Sequence, residues 1–346
     1  MQVLHNISLK PYNTFGIQAQ AAQFAKFNSV AAAGELLQNH ANAGNPGGIL
    51  ILGGGSNILF TQSFNGLVLK NEIAGIEKYA EDDKYVYIKA GAGVQWHSLV
   101  MHCIQQGWAG LENLSLIPGS VGASPMQNIG AYGVEIKDVF YSLEAWHIQD
   151  KALVNFSSND CAFGYRESVF KNKYRNQFII CSVTYRLLKQ PVFNTSYGAI
   201  MQELEQMAVT NLSIKAISQA VINIRSSKLP NPAQIGNAGS FFKNPEVTVA
   251  VFEKLKIQHP GIVGYALANG NVKLAAGWLI ENCGPTPAVS WKGFRQGDAG
   301  CHSKQALVLV NYGNATGAQI YQLSEAILNT VKHKFDVQLE REVNIV

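Results

Sequence analysis

The sequence carries little charge and contains no long hydrophobic run, and each shortage excludes a class of protein. Asp, Glu, Lys and Arg together make up 14% of the 346 residues, whereas hydrophobic residues make up 47%. A chain this apolar can build large cores and is not disordered, and its length predicts two or three domains. Its apolar runs fall short of the ~18 residues that span a bilayer, and residues 1–20 lack the apolar core of a signal peptide. We therefore expect a cytoplasmic protein without a membrane partner.

Cysteine is also scarce, and its arrangement excludes two kinds of site. The five cysteines are an odd number at wide spacing, without a Cys-x-x-Cys pair: Cys103, Cys161, Cys181, Cys283 and Cys301. This pattern argues against a disulfide scaffold and against a zinc site. The net charge of +4 is too small and too dispersed to predict nucleic-acid binding, although it suits an anionic small molecule. We expect a monomer with no metal site and no nucleic-acid partner.

Glycine, in contrast, is abundant and concentrates in two loops. Residues 53–57 (Gly-Gly-Gly-Ser-Asn), called here the first glycine loop, follow an apolar run that predicts a buried strand. Residues 118–133, called the second glycine loop, carry four glycines and two prolines and cannot form a regular helix or strand. Their backbone N–H groups and neutral side-chain donors suit a diphosphate and the polar edge of a flat heterocycle. A plain glycine-rich connection between strands is the alternative. Ile58 stands where a dinucleotide-binding fingerprint would need glycine.

Hydrophobic periodicity predicts helices and strands that alternate along the chain. The predicted strands are residues 49–52, 58–60, 67–70, 84–90, 140–148, 178–187 and 307–311, with a last extended segment at 337–346. The predicted helices are residues 29–39, 94–106, 214–227, 248–258, 273–282 and 316–334. Pro230 and Pro232 stop the helix at 214–227, and we place a domain boundary there. These patterns predict an α+β or α/β fold.

Residues 236–245 (Gly-Asn-Ala-Gly-Ser-Phe-Phe-Lys-Asn-Pro) form the sharpest chemical motif, because two glycines hold Ser240 in a tight turn. The chain has no Gly-x-Ser-x-Gly elbow and no obvious base near this serine. If Ser240 takes part in chemistry, it is therefore better suited to deliver a proton than to attack as a nucleophile. The alternative is a serine-capped turn before a hydrophobic strand.

Charged residues supply three further candidates. Arg166 lies among aromatic residues and is either an anion clamp or the ion-pair partner of Glu167. Glu340 and Glu342 are two residues apart and would face the same way on a strand, and a solvated strand edge is the alternative. A last pair, Arg225 and Lys228, shares one helical face, where a solvated helix end is the alternative.

Taken together, these motifs resemble the family of UDP-N-acetylenolpyruvoylglucosamine reductases, also called UDP-N-acetylmuramate dehydrogenases. The matching segments cover almost the whole chain in order and spacing: residues 13–16, 52–57, 117–133, 164–166, 228–230, 236–245 and 273–280. The stretch around Tyr197-Gly198 resembles the tyrosine loop of the family's first type. The family's Glu-Pro-Glu-Val reads Glu340-Arg341-Glu342-Val343 here, so the geometry of that segment is open.

The resemblance implies an α+β protein with an FAD-binding fold of the vanillyl-alcohol-oxidase kind in residues 1–229, in two subdomains at roughly 1–68 and 69–229. It implies a substrate-binding domain at 230–335 and a C-terminal strand at 336–346 that returns to the active site. NADPH would reduce the FAD, which would then reduce UDP-N-acetylglucosamine enolpyruvate in peptidoglycan biosynthesis. Neither glycine loop contains histidine or cysteine, so the FAD would be held without a covalent bond. An oxygen-using flavin oxidase and a non-catalytic UDP-sugar or flavin sensor are the alternatives.

The resemblance also implies roles for single residues. Ser240 would donate the proton, Arg166 would hold the substrate carboxylate, and Glu342 would orient Arg166 or the substrate. The implied cofactor-binding residues are Gly53, Gly54, Gly55, Ser56, Asn57, Pro118, Gly119, Ser120, Gly122, Ala123, Ser124, Gln127, Asn128, Ile129, Gly130 and Tyr132. The implied substrate-binding residues are Tyr197, Lys228, Asn244, Tyr265, Lys292 and Gln305.

Overall fold

The computed structural model describes residues 2–42 and 47–346, which form two compact units. The first unit consists of Met1–Ile7, Ala21–Gly55 and Phe64–Ser227, and the second of Ser8–Gln20, Ser56–Ser63 and Lys228–Val346. The change at Ser227 to Lys228 lies close to the predicted boundary. The two short segments of the second unit, 8–20 and 56–63, were not assigned there from the sequence.

Along most of the described chain, runs of strands are separated by helices. The strands are β1 Leu4–Ser8, β2 Gln20–Phe27, β3 Ile49–Leu52, β4 Ile58–Leu59, β5 Phe64–Asn71, β6 Ile76–Glu81, β7 Tyr85–Gly91, β8 Gly130–Ala131, β9 Val134–Glu135, β10 Phe140–His147, β11 Ala152–Ser157, β12 Phe178–Leu188, β13 Gly236–Ser240, β14 Glu246–Val247, β15 Gly264–Ala266, β16 Val272–Leu274, β17 Arg295–Gln296, β18 Ala299–Cys301, β19 Val308–Asn311 and β20 Asn344–Ile345. The helices are α1 Val30–Asn42, α2 Trp96–Gln105, α3 Ser158–Cys161, α4 Gly198–Gln206, α5 Ile214–Lys228, α6 Val249–Gln258, α7 Ala276–Glu281 and α8 Gly317–Phe335.

Two large sheets and the short antiparallel pair of β8 and β9 build the first unit. One has the order β1-β2-β5-β3, and β5 runs parallel to both of its neighbours. Helix α1 packs on it through Ala33 and Leu36, which share a core with Leu67 and Leu69. The other sheet is antiparallel, with the order β11-β10-β12-β7-β6. Helix α2 packs on this second sheet, and the first glycine loop leaves the end of β3.

The second unit contains two small antiparallel sheets and a strand pair. The sheets have the orders β13-β19-β18-β17 and β14-β16-β15, and the pair is β4 with β20. Helix α8 packs beside β18 and β19 and buries Ile320, Leu323, Ile327 and Val331. The helix predicted at 316–334 is thereby confirmed.

The predicted helix at 273–282 is wrong over its first residues. Lys273 and Leu274 pair with β14 and β15 in strand β16, and the helix begins only at Ala276. The alanines and leucine of this stretch have high helix propensity, but strand pairing with distant residues overrides it. Helix α4 was not predicted at all.

No helix in the described ranges combines the length and the apolar character that crossing a bilayer requires. Within the same residues, no group of three or more His, Cys, Asp or Glu side chains is arranged to hold a metal ion.

Candidate cofactor and substrate sites

The two glycine loops lie against each other in the first unit. A Cβ atom built on Gly54 would come 2.7 Å from the Cα of Gly119, and one built on Gly53 would collide with the Ser120 hydroxyl. A side chain at position 54 would require the facing loop to move, and one at position 53 would displace the Ser120 side chain. The two loops treated as a pair in the sequence are therefore brought into contact by the fold.

Three backbone N–H groups at this contact have no acceptor among the residues that the structure describes. They belong to Gly54, Gly119 and Ser120. Backbone donors are rarely left without a partner, and a cluster of them forms a binding site for an anion. The chemistry of these three donors fits the diphosphate of FAD.

The rest of the second glycine loop is held rigidly. Its backbone bonds to the turn before α2 run from Trp96 N to Gly119 O, from Val121 N to Val94 O and from Gly122 N to Ala92 O, at 3.0, 2.9 and 2.9 Å. The hydroxyls of Ser124 and Tyr185 lie 2.7 Å apart in the core. Burial raises the pKa of Tyr185, so its hydroxyl stays neutral. Ser124 thus fastens the loop to β12.

Asn128 links this loop to the turn that carries Arg166. Its backbone is left-handed, with φ at +45°, and its side chain is fully buried. The amide donates to Glu135 Oε2 at 2.9 Å and to Gly164 O at 3.0 Å, and it accepts from Lys137 N at 3.1 Å. The side-chain amide therefore serves the loop itself, and a direct contact with cofactor stays a prediction.

Arg166 occupies a strained turn between Gly164 and Glu167, which exchange two backbone hydrogen bonds. Its φ is +55°, a conformation that costs a residue with a side chain about 1–2 kcal/mol. The guanidinium donates to Gly130 O at 2.8 Å and lies 5.3 Å from the ring centre of Tyr165. Such strain is typical of functional positions.

A predicted cofactor residue and a predicted substrate residue touch in the first unit. The rings of Tyr132 and Tyr197 meet edge to face with their centres 5.2 Å apart. Tyr197 directly precedes α4 and is 45% exposed. A helix begins directly after it, at Gly198, where a loop was expected.

Arg225 is a candidate that was noted in the sequence but not assigned to the site. It lies on α5 beside the Tyr132 hydroxyl, and its Nε is buried without an acceptor among the described residues. Burial lowers the pKa of Arg225 and raises that of Tyr132. A buried guanidinium N–H without a partner points to an acceptor on a ligand. In the sequence, the signal for Arg225 as a site residue was its position three residues before Lys228 on one helical face.

In the second unit, Ser240 and Glu342 lie on adjacent segments. Ser240 ends β13, is exposed, and follows Gly239, whose φ is +71°. The next residues pair with the C-terminal segment: Glu342 N donates to Phe241 O and Lys243 N to Glu340 O, both at 2.8 Å. The fold thus brings the predicted proton donor next to the predicted acid. Glu340 is the other acid, and its carboxylate lies 2.7 Å from Lys243 Nζ.

Arg341 replaces the family's proline without disturbing this pairing. The two hydrogen bonds around the Phe242–Arg341 bridge use the N–H groups of residues 342 and 243, so the ladder does not need the Arg341 N–H. The side chain instead reaches α8, where Nε donates to Ser324 Oγ at 2.8 Å and Nη2 to Glu325 at 2.6 Å. The strand pairing around residue 341, which the sequence left open, is therefore formed without the proline.

Asn57, from the first glycine loop, also holds this segment within the second unit. Its amide donates to Glu342 O at 3.3 Å, and its carbonyl accepts from Asn344 N at 3.2 Å. Strands β4 and β20 continue the pairing in parallel.

Four of the other predicted substrate residues of the second unit lie on or beside α7 and β15, and the fifth is Lys228. Asn244 Oδ1 accepts from Ala276 N at 3.0 Å, and Gln305 Oε1 accepts from Leu307 N at 3.2 Å. Lys292 forms an ion pair with Glu281 at the end of α7. Tyr265 is 51% exposed on β15. Lys228 ends α5 and is exposed.

Two family models match the chain. One is described as the UDP-N-acetylenolpyruvoylglucosamine reductase C-terminal domain and matches residues 231–346, and the other is an FAD binding domain that matches residues 24–154. A curated UDP-N-acetylenolpyruvoylglucosamine reductase from Amoebophilus asiaticus (strain 5a2) is 51% identical over 349 residues, which cover 100% of both chains. One from Pseudomonas putida is 46% identical and covers 100% of this chain and 99% of its own.

A solved structure shares the fold. The crystal structure of UDP-N-acetylenolpyruvylglucosamine reductase from Thermus caldophilus aligns with a TM-score of 0.65 at 22% identity, covering 100% of this chain and 99% of that one. The family resemblance and the α+β fold with an FAD-binding domain and a C-terminal domain, both predicted from the sequence, are thereby confirmed.

Proposed function

Because the chain belongs to the family of UDP-N-acetylenolpyruvoylglucosamine reductases, we propose that it reduces UDP-N-acetylglucosamine enolpyruvate to UDP-N-acetylmuramate in peptidoglycan biosynthesis. Family membership makes it an oxidoreductase that uses FAD and NADPH. The oxidase and sensor alternatives lose their support, because relatives matched over the full length carry the reductase name.

The first unit supports FAD binding through groups of its own. The N–H groups of Gly54, Gly119 and Ser120 would hold the diphosphate, and the buried Arg225 Nε would donate to an acceptor atom of the cofactor. Bound FAD supplies hydride transfer, which none of the side chains can perform. Arg166 offers a planar fork of donors for the substrate carboxylate and spreads the charge that develops on it.

The observation that carries the mechanism is the place of Ser240. Its exposed hydroxyl follows a left-handed glycine and lies one residue from the Phe241 carbonyl that binds Glu342 N–H. A serine hydroxyl is a weak acid, but the carbon beside the substrate carboxylate becomes a strong base when the enol ether is reduced, so proton transfer is downhill. Glu342 would orient Arg166 or the substrate.

We further propose the finer assignments on the same basis. Tyr197, Lys228, Asn244, Tyr265, Lys292 and Gln305 would bind the nucleotide part of the substrate or the phosphates of NADPH. Residues 1–229, apart from the two segments 8–20 and 56–63 that join the second unit, would form the flavin domain, 230–335 the substrate domain, and 336–346 the strand that carries Glu342. The protein would act as a cytoplasmic monomer without a nucleic-acid or membrane partner.

Replacement of Ser240 by alanine tests this mechanism. Reduction of the flavin by NADPH needs no proton from Ser240, so its rate should be unchanged. Reoxidation by the enolpyruvyl substrate should slow by about 10²–10⁴-fold, because a placed general acid typically contributes that much. Stopped-flow absorbance of each half-reaction measures both rates, and reduced flavin should accumulate when both substrates are present.

Ser63→Ala is the matched control, because it removes another serine hydroxyl of the second unit and should leave both rates unchanged. Reoxidation of Ser240→Ala at the wild-type rate would show that another group supplies the proton.

A further inference from the structure

Lys70 lies behind the first glycine loop and is not among the predicted catalytic, cofactor-binding or substrate-binding residues. It lies on β5 in register with Leu52, the last residue of β3 before the loop. Its Nζ donates to the carbonyl oxygen of Gly53 at 2.8 Å. Burial lowers the pKa of Lys70, so its ammonium is held there at a cost in solvation.

The consequence of this contact follows from the geometry of a peptide unit. The C=O of Gly53 and the N–H of Gly54 belong to one planar trans peptide and point in opposite directions. A cation that holds the Gly53 carbonyl therefore aims the Gly54 N–H to the opposite side. Glycine stands at both ends of this peptide, so no side chain of its own fixes its orientation.

The two other charges near Lys70 neutralise each other, so its ammonium carries the net charge of this group. Glu72 raises its pKa and Lys26 lowers it, but Lys26 and Glu72 form an ion pair with each other at 2.9 Å. Their charges offset one another. The remaining positive charge lies on Lys70, next to a loop whose Gly54 N–H has no acceptor in the described chain.

We propose that Lys70 is a positioning residue of the diphosphate site. By holding the Gly53 carbonyl, it sets the Gly53–Gly54 peptide so that the Gly54 N–H meets a phosphate oxygen of FAD, and its ammonium adds an attractive charge behind the loop. The proposal rests on the proposed cofactor and extends it to a residue 17 positions along the chain from the carbonyl it binds.

Binding of FAD to apoprotein tests this role without an activity assay. In Lys70→Met the dissociation constant, measured by quenching of flavin fluorescence, should rise about 10- to 100-fold, as expected when a hydrogen bond from a charged group is lost. Lys26→Met is the matched control, because it removes the same formal charge from the neighbouring strand β2 without touching Gly53. Its dissociation constant should stay within about twofold of wild type.

The comparison between the two variants decides the outcome. A dissociation constant for Lys70→Met within about twofold of that for Lys26→Met would overturn the proposal. Should Lys70→Met fail to fold, Lys70→Gln allows the same comparison. Wild-type protein that binds no FAD would instead contradict the proposed cofactor, so the two failures are distinguishable.

Discussion

His97 contacts the chain just before the second glycine loop. Its Nδ1 accepts from Leu116 N at 3.0 Å, and Leu116 has a left-handed backbone with φ at +58°. Burial, and after it the charge of Arg225, lowers the pKa of His97. The neutral ring is the form that can accept the Leu116 N–H, because protonation would place a proton on Nδ1.

A pH dependence of stability follows from this lowered pKa. Between the folded-state pKa and the ordinary value of about 6.5, the unfolded chain binds more protons than the folded one. The contribution of His97 is therefore complete above about pH 6.5 and is lost as the pH falls through that window. We expect the free energy of unfolding, measured with urea, to decrease from pH 7.5 to pH 5.5.

His97→Gln should reduce this pH dependence, because glutamine can accept the Leu116 N–H but does not titrate. The exposed His5→Gln is the control and should retain the wild-type slope. Burial also lowers the pKa of His302, so part of the slope should persist in His97→Gln. An unchanged slope in His97→Gln would assign the whole effect to other groups.

At the scale of single residues, the sequence predicted those that lie inside motifs and missed those whose role depends on distant partners. Ser240 and Glu342 were singled out by their own neighbours in the chain. Lys70 was not, because only the register of β3 and β5 brings it to Gly53. Arg225 was noticed on a helical face, but the orphaned Nε that argues for a ligand is visible only once the helix is packed.

At the scale of elements, the segment with Glu342 depends on Arg341. The guanidinium contacts Ser324 and Glu325 and lies 4.5 Å from the ring centre of Tyr321, all on α8. These contacts anchor the C-terminal segment from one side while Phe241 and Asn57 hold the backbone of Glu342. Proline would restrict the same residue through its fixed φ instead.

Arg341→Ala and Arg341→Pro should therefore differ. The alanine variant loses the charged hydrogen bonds, and its free energy of unfolding should fall by about 1.5–3 kcal/mol. Its flavin reoxidation should slow as Glu342 loses its position. The proline variant should reoxidise faster than the alanine variant, because the ladder does not use the Arg341 N–H and proline reduces the freedom of the unfolded chain.

Stopped-flow reoxidation and urea unfolding of both variants measure these effects. Lys332→Ala, which breaks an exposed ion pair with Asp336 on α8, is the control. Equal losses of the reoxidation rate in the two Arg341 variants would mean that the Arg341 side chain acts only through the stability of the protein.

Elements with a clear hydrophobic period were predictable, and those made by long-range pairing were not. Strand β3 has the predicted bounds, and α8 begins and ends one residue from its prediction. The first residues of the predicted 273–282 helix form a strand because β14 and β15 offer partners on both sides. Local periodicity carries no information about such partners.

At the scale of the whole molecule, the chain passes repeatedly between its two units. Ser8–Gln20 and Ser56–Ser63 belong to the second unit although most of their sequence neighbours belong to the first. Phe15 is fully buried against Phe241, and its carbonyl accepts from Asn311 at 2.9 Å. Nothing in the composition of these two short segments says which core they join, which is why the sequence did not assign them to the second unit.

A fragment of residues 1–227 should therefore not retain an ordered first glycine loop. Without residues 228–346, Asn57 loses Glu342 and Asn344, strand β4 loses β20, and the buried Phe15, Leu59 and Phe60 lose their cores. Exposing each of these apolar side chains costs about 1.5–3 kcal/mol, so together they match much of the 5–15 kcal/mol that stabilises a typical domain.

We expect chymotrypsin, followed by mass spectrometry, to cut the fragment after Phe15 and Phe60, sites that the intact protein protects. Fluorescence titration should show weaker FAD binding by the fragment, because binding must now order the loop, and co-expression of residues 228–346 should restore both properties. A fragment that resists cleavage at both sites and binds FAD like the intact protein would mean that the first unit organises its glycine loop alone.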